Sequence, residues 1–221
     1  MTEAEWLASN DADEMYFRVV KPLKSGQRHL DLFCVACTKL VFHLIEDEGA
    51  RRAFEWLEEH LGQRARSRGG HIRDLFSGPG RALYDARHRR EQNASGAAIH
   101  IAYDFWADWY EYAFPNVDEY FISGPYSNSL REDPRIYLPA ITRDIFGNPF
   151  RPISFASEWR TDTAVSLARG MYESRDFGAM PILADALQDA GCDNDDILDH
   201  CRGPGPHVRG CWVVDLVLGK E

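Results

Sequence analysis

Arg28-His-Leu-Asp-Leu-Phe-Cys-Val-Ala-Cys-Thr-Lys-Leu-Val-Phe-His-Leu-Ile45 carries Leu30, Phe33, Cys37, Leu40, Val41 and Leu44 at intervals of three and four. That spacing gathers the apolar side chains on one face of a helix. A stripe of this length must be buried against other elements, so the segment predicts a core helix. A second stripe follows from Glu46 to about Leu61, with Ala50, Phe54, Leu57 and Leu61 facing inward and Gly62 as a stop. The two segments together predict a helical hairpin.

Outward from this hairpin the helical signals continue in both directions. Thr2-Glu-Ala-Glu5 has the form of a capping box, in which hydroxyl and carboxylate satisfy free amides at a helix start, with Trp6-Leu7 as apolar anchors. Ala97 to Phe114 reads as an aromatic helix with Ile101, Phe105, Trp109 and Tyr112 on one stripe. Residues 115 to 135 hold three prolines, Gly124 and a Ser-Asn-Ser run, which predicts a long irregular connection and allows a sub-boundary there. Arg135 to Phe146 predicts a short helix closed by Gly147-Asn148-Pro149, after which the prolines favour extended chain. Thr161 or Asp162 caps a helix through Tyr172, another runs from Phe177 to Ala190-Gly191, and Asp193 caps a third from Asn194 to about His200. The last segment, Val208 to Leu218, suits a buried helix or a strand, and the helix ended by Gly219 is preferred. The expected fold class is therefore mainly α: a single, bundle-like helical domain over 1–221 with long irregular connections.

At 221 residues, with 44% hydrophobic and 12% aromatic residues, the chain can bury a sizeable core. A net charge of −10 argues against nucleic acid or an anionic membrane as the partner of the whole surface. Arg64 to Arg90 is the exception, with eight arginines against two aspartates, and is the one stretch suited to nucleic acid. More often such a segment is a solvated arm. The acidic start Met-Thr-Glu-Ala-Glu lacks the basic and apolar regions of a secretory signal, and no stretch approaches the ~18 apolar residues of a membrane span. With five cysteines, an odd number, reduced thiols and a cytoplasmic location are expected.

The densest chemistry lies at the carboxyl end, where His200-Cys201 and His207…Cys211 flank Gly203-Pro-Gly-Pro206. The proline-glycine turn forbids helix and folds the two segments toward each other. His200, Cys201, His207 and Cys211, with Cys37 and His43 from the core hairpin, form a candidate zinc set that would fasten the carboxyl terminus to the body of the domain. Packing of small buried cysteines explains the same residues without a metal. A cysteine nucleophile, Cys201 or Cys211 beside His200 or His207, is the catalytic version. A second candidate is a helix face carrying His100, Asp104, Asp108 and Glu111, a spacing suited to a divalent metal or to acid and base roles, and equally to a wet surface. Asp193-Asn-Asp-Asp196 lacks the glycine and glutamate of a calcium loop, and the prolines of Gly203-Pro206 remove the amides a phosphate loop needs.

Leu32-Phe33…Ala36-Cys37…His43-Leu44, Arg143-Asp-Ile-Phe-Gly-Asn-Pro-Phe-Arg-Pro152 and the terminal His-Cys-Arg-Gly-Pro-Gly-Pro-His-Val-Arg-Gly-Cys-Trp-Val-Val-Asp-Leu216 resemble an uncharacterised protein family of planctomycete bacteria of the Gemmata type. The resemblance covers both ends of the chain and implies no activity. The function expected from the sequence is a non-enzymatic helical interaction or regulatory module acting on another protein. The alternative is a zinc-binding protein or metal-dependent enzyme that uses the terminal Cys/His block or the His100, Asp104 and Asp108 face.

Overall fold

The computed structural model describes residues 1–22, 27–59, 96–98 and 134–220. Every regular element among these residues is helical. We number the α-helices α1 (Glu3–Ala8), α2 (Ala12–Met15), α3 (Gln27–Val41), α4 (Glu48–Glu59), α5 (Pro134–Phe146), α6 (Asp162–Ser174), α7 (Met180–Asp189), α8 (Asp195–Arg202) and α9 (Trp212–Leu218). None is long and apolar enough to cross a membrane.

The capping box at α1 is formed: Glu5 N–H donates to Thr2 Oγ1 and Thr2 N–H to the Glu5 carboxylate. α3 ends at Val41, earlier than its apolar stripe, because the chain tightens into a 3₁₀ turn over Phe42–Leu44. The hairpin partner α4 meets α3 near its end, with Phe54 against Phe42 and Glu58 on Lys39, but α3 packs chiefly on α5. α2 and the π turn Tyr16–Val20 were not anticipated, although they bury Met15, Tyr16, Val19 and Val20. Asn194, not Asp193, caps α8, because its side chain is the one placed to accept from Ile197 N–H. The terminal segment is a helix as preferred, beginning only at Trp212 and closed by Gly219 in the left-handed region. The expected helix over 97–114, the connection over 115–135 and the arginine-rich segment lie almost wholly outside the described residues.

The apolar interior forms two clusters. Trp6, Met15, Phe33, Val41, Ile141 and Ile145 centre the first, built by α1 to α5. Leu183, Leu187, Ile197, Val213 and Val214 centre the second, built by α6 to α9. Between them runs a seam of polar contacts. Arg28 forks onto the Asp215 carboxylate and its Nη2 donates to Tyr172 Oη at 3.1 Å. Arg175 and Lys39 hold buried Glu58 at 2.9 and 2.7 Å, and Arg209 donates to the Glu58 carbonyl. Arg175 ends α6 with φ +62, a conformation that normally selects glycine. Gly210, at φ +103, lies against Leu32 so closely that a Cβ would fall 2.9 Å from Leu32 Cδ1.

Candidate metal centre

α5 turns its buried face to the seam through Leu138, Ile141, Thr142 and Ile145, and Asp144 sits among them, 2% exposed. Its neighbour Arg143 anchors the helix from the other side by donating to the carbonyls of Trp6 and Ser9 at 3.1 and 2.9 Å. Those are carbonyls at the free end of α1, which has no partners of its own there. The Asp144 carboxylate is therefore fixed in depth and direction.

The second half of the chain closes over it. Ile197, Leu198 and Cys201 bury α8 and turn His200 to the seam. The Gly-Pro-Gly-Pro turn then reverses the chain. Gly205 at φ +72 allows the tight approach to His207, and Gly210 lets the backbone settle on Leu32 before Cys211 opens α9. The prediction that this turn folds its flanks together is thus met.

Four donors converge. Asp144 Oδ1 lies 2.8 Å from His207 Nδ1 and 3.1 Å from His200 Nε2, and that same Nε2 lies 3.2 Å from Cys211 Sγ. One ligand atom from each of the four residues falls within 4.8 Å of all the others. Asp144 Oδ2 accepts from Val208 N–H at 2.9 Å, which orients the carboxylate from outside the cluster. The His200 ring meets His207 edge-on and Trp212 at a tilt, with centroids 4.9 and 5.0 Å apart.

Burial would push the Asp144 carboxyl up, but the hydrogen bonds from His200 and His207 outweigh it and hold the group below its ordinary range. Asp144 is a buried carboxylate, and it needs positive charge beside it. Burial, reinforced by that carboxylate, pushes the Cys211 thiol well above its ordinary value. Nothing in this environment makes Cys211 a free thiolate nucleophile. A thiol–imidazole–carboxylate relay would also use both ring nitrogens of the histidine, one for each partner. Here Cys211 and Asp144 meet the same nitrogen, which is the arrangement of donors around a common centre.

Of the six residues anticipated from the sequence, the fold brings together His200, His207 and Cys211. Cys201 stands outside the cluster, fully buried in the second core, where burial raises its thiol to about 12. Cys37 is buried in the first core on α3, its thiol raised well above the ordinary value by the same cause. His43 stands on the 3₁₀ turn after α3 and is likewise outside the group. The expected contribution of α3 is not seen: Cys37 belongs to the apolar stripe, and the side chain that joins His200, His207 and Cys211 is Asp144 from α5. Asp144 was missed because it stands alone in sequence. Its signal was a single carboxylate between the buried positions Ile141 and Ile145. The His100, Asp104 and Asp108 face lies outside the described residues. No protein-family model, no curated protein and no solved structure matches the chain.

Proposed function

We propose that the protein is a helical module built around one zinc ion, bound by Asp144, His200, His207 and Cys211. The ion fastens the carboxyl-terminal segment to α5 and so joins the two halves of the seam. The observation that carries this reading is the run of close contacts from His207 Nδ1 to Asp144 Oδ1 to His200 Nε2 to Cys211 Sγ, with one ligand atom from each residue within 4.8 Å of all the others. Tetrahedral zinc with such ligands has donor–donor edges of roughly 3.3–3.6 Å; the three short contacts would open by a few tenths of an ångström and the wider pairs, up to 4.8 Å apart, would draw in to admit it. Mixed thiolate, imidazole and carboxylate donors suit zinc better than the hard cations magnesium or calcium. With Asp144 and Cys211 ionised and both histidines neutral, the donor set carries two negative charges, which a divalent ion cancels in a buried place. Four protein donors leave no position for substrate, which favours a structural over a catalytic ion.

Elemental mass spectrometry of protein purified without a histidine tag tests this. One zinc per chain is expected, with loss in both Asp144→Asn and Cys211→Ser. A chain without zinc, or variants that keep it, would overturn the assignment.

The role of the module itself is interaction rather than catalysis. Trp56, Ile136 and Ile182 are exposed apolar side chains on α4, α5 and α7, and contact with another protein would cover such groups. Self-association or partner binding that persists at high salt is the expected behaviour. Complete monodispersity of the Trp56→Lys and wild-type chains alike, with no change in tryptophan emission on concentration, would remove that support.

A further inference from the structure

Gly147 follows the last residue of α5 and lies in the left-handed region at φ +63, its N–H donating to the Arg143 carbonyl at 2.9 Å. A glycine there closes a helix well, yet the angle does not by itself demand one, because Arg175 ends α6 at φ +62. What singles out Gly147 is its neighbour. A Cβ at this position would fall 3.3 Å from Trp212 Cγ and 3.5 Å from Cδ1 and Cδ2, so the indole rests on the glycine. Gly191 and Gly219, also left-handed, have nothing within 4 Å of the same point.

Trp212 opens α9 immediately after Cys211, and its ring centre lies 5.0 Å from that of His200 on α8. One side chain thus rests on the end of the helix that carries Asp144, adjoins Cys211 in the chain and lies against His200. An imidazole that binds a metal through one nitrogen is ordinarily fixed by a hydrogen bond from the other. His200 turns Nε2 toward Asp144 and Cys211, and its Nδ1 has no hydrogen-bond partner among the described residues. Its ring is therefore held by packing, against His207 edge-on and Trp212 at a tilt. Gly147, His200 and Trp212 also line one cleft of about 620 Å³, so an indole that lost its seat would have room to move away from the imidazole.

Building on the zinc reading above, we infer that Trp212, seated on Gly147, is the positioning residue of the metal centre and sets the direction in which His200 presents Nε2 to the ion. Trp212 itself is no ligand, since an indole N–H donates and has no lone pair to give. Its part is to take the place of the hydrogen bond that His200 Nδ1 lacks among the described residues.

Titration of the full chain with Co(II) alone, followed by competition with zinc, gives the affinity and, from the visible absorption, the ligand field at the ion. Wild type is expected to bind one cobalt per chain in a tetrahedral field. Trp212→Leu removes the flat ring and is expected to raise the dissociation constant about 10–100-fold and to shift the absorption bands, and Trp212→Phe to restore most of both. Gly147→Ala, whose Cβ must push the indole by a few tenths of an ångström, is expected to weaken binding several-fold. Gly219→Ala carries the same left-handed strain at φ +64 with open space around its Cβ, so its urea midpoint should fall while its cobalt affinity and spectrum stay those of wild type. Wild-type affinity and bands in both Trp212→Leu and Gly147→Ala, or a loss in Gly219→Ala equal to that in Gly147→Ala, would overturn the inference and leave the zinc reading intact. A wild-type chain that binds neither cobalt nor zinc would overturn both. Should Trp212→Leu fail to fold by circular dichroism, the comparison of Gly147→Ala with Gly219→Ala decides alone.

Discussion

Replacing Asp144 with asparagine changes one oxygen to nitrogen with almost no change in volume, and its cost can be worked out from the contacts. The carboxylate accepts on both oxygens: His200 and His207 on Oδ1, Val208 N–H on Oδ2. Asparagine offers one acceptor. If its oxygen serves the histidines, its amide N–H₂ faces the Val208 N–H and leaves a buried backbone donor unpaired, at about 1–3 kcal/mol. The two histidine contacts also fall from charge-assisted to neutral hydrogen bonds, losing about 1 kcal/mol each. Turning the amide over only transfers the conflict to the ring nitrogens. The metal-free protein should therefore lose about 3–5 kcal/mol of stability, read as a lowered urea midpoint at unchanged slope. Wild-type protein with free zinc a thousandfold above its dissociation constant should gain about 4 kcal/mol over the chelated form. Asp144→Asn should show no such gain. The two readouts are independent of each other. A variant within about 0.5 kcal/mol of metal-free wild type would refute the hydrogen-bond reasoning, since ordinary surface changes have that size. A wild type indifferent to chelator would refute the zinc reading alone.

Other contacts of the same seam respond measurably to substitution and pH. Arg28→Met leaves the Asp215 carboxylate, 3% exposed, without its cation and should cost about 3–5 kcal/mol, partly recovered in Arg28→Met/Asp215→Asn when both are measured by denaturation. Gly210→Ala must place its Cβ 2.9 Å from Leu32 Cδ1 at φ +103, and about 2–4 kcal/mol of destabilisation is expected, with a smaller cost in a Leu32→Ala background. Burial lowers the pKa of His29 below 6.5, so the unfolded chain holds more protons between the folded pKa and 6.5. Stability should accordingly fall as the pH drops through this window, and His29→Gln should flatten that part of the profile in denaturation series run at several pH values.

How much of this was legible in the sequence depended on how local each signal was. Thr2 with Glu5, the stripe from Leu30 to Val41 and the glycine at 219 each act within a few residues, and they gave the helices and two of their ends correctly. The choice between Asp193 and Asn194 as cap turned on backbone angles that either residue could have adopted. The candidate site was half legible, since Gly203-Pro-Gly-Pro206 dictates a reversal that brings His200 near His207 and Cys211. What the sequence withheld was the fourth donor. Asp144 is distant in the chain, and nothing local distinguishes it from any other helix carboxylate until α5 is known to face the seam. Cys37 misled for the opposite reason: its residue type suggested chemistry while its place on the apolar stripe already assigned it to the core.

Arg175 shows how such a seam constrains improvement of the protein. By the rules of helix ends its position belongs to glycine, and a designer polishing α6 in isolation would make that exchange and recover about 1 kcal/mol of backbone strain. The same change would take one of the two cations from Glu58, a carboxylate only 3% exposed that joins α6 to α3 and α4. The misfit of one residue is tolerated because it aims a guanidinium that no glycine carries. Residues that look suboptimal in their own helix are, in this chain, among those that hold its halves in register.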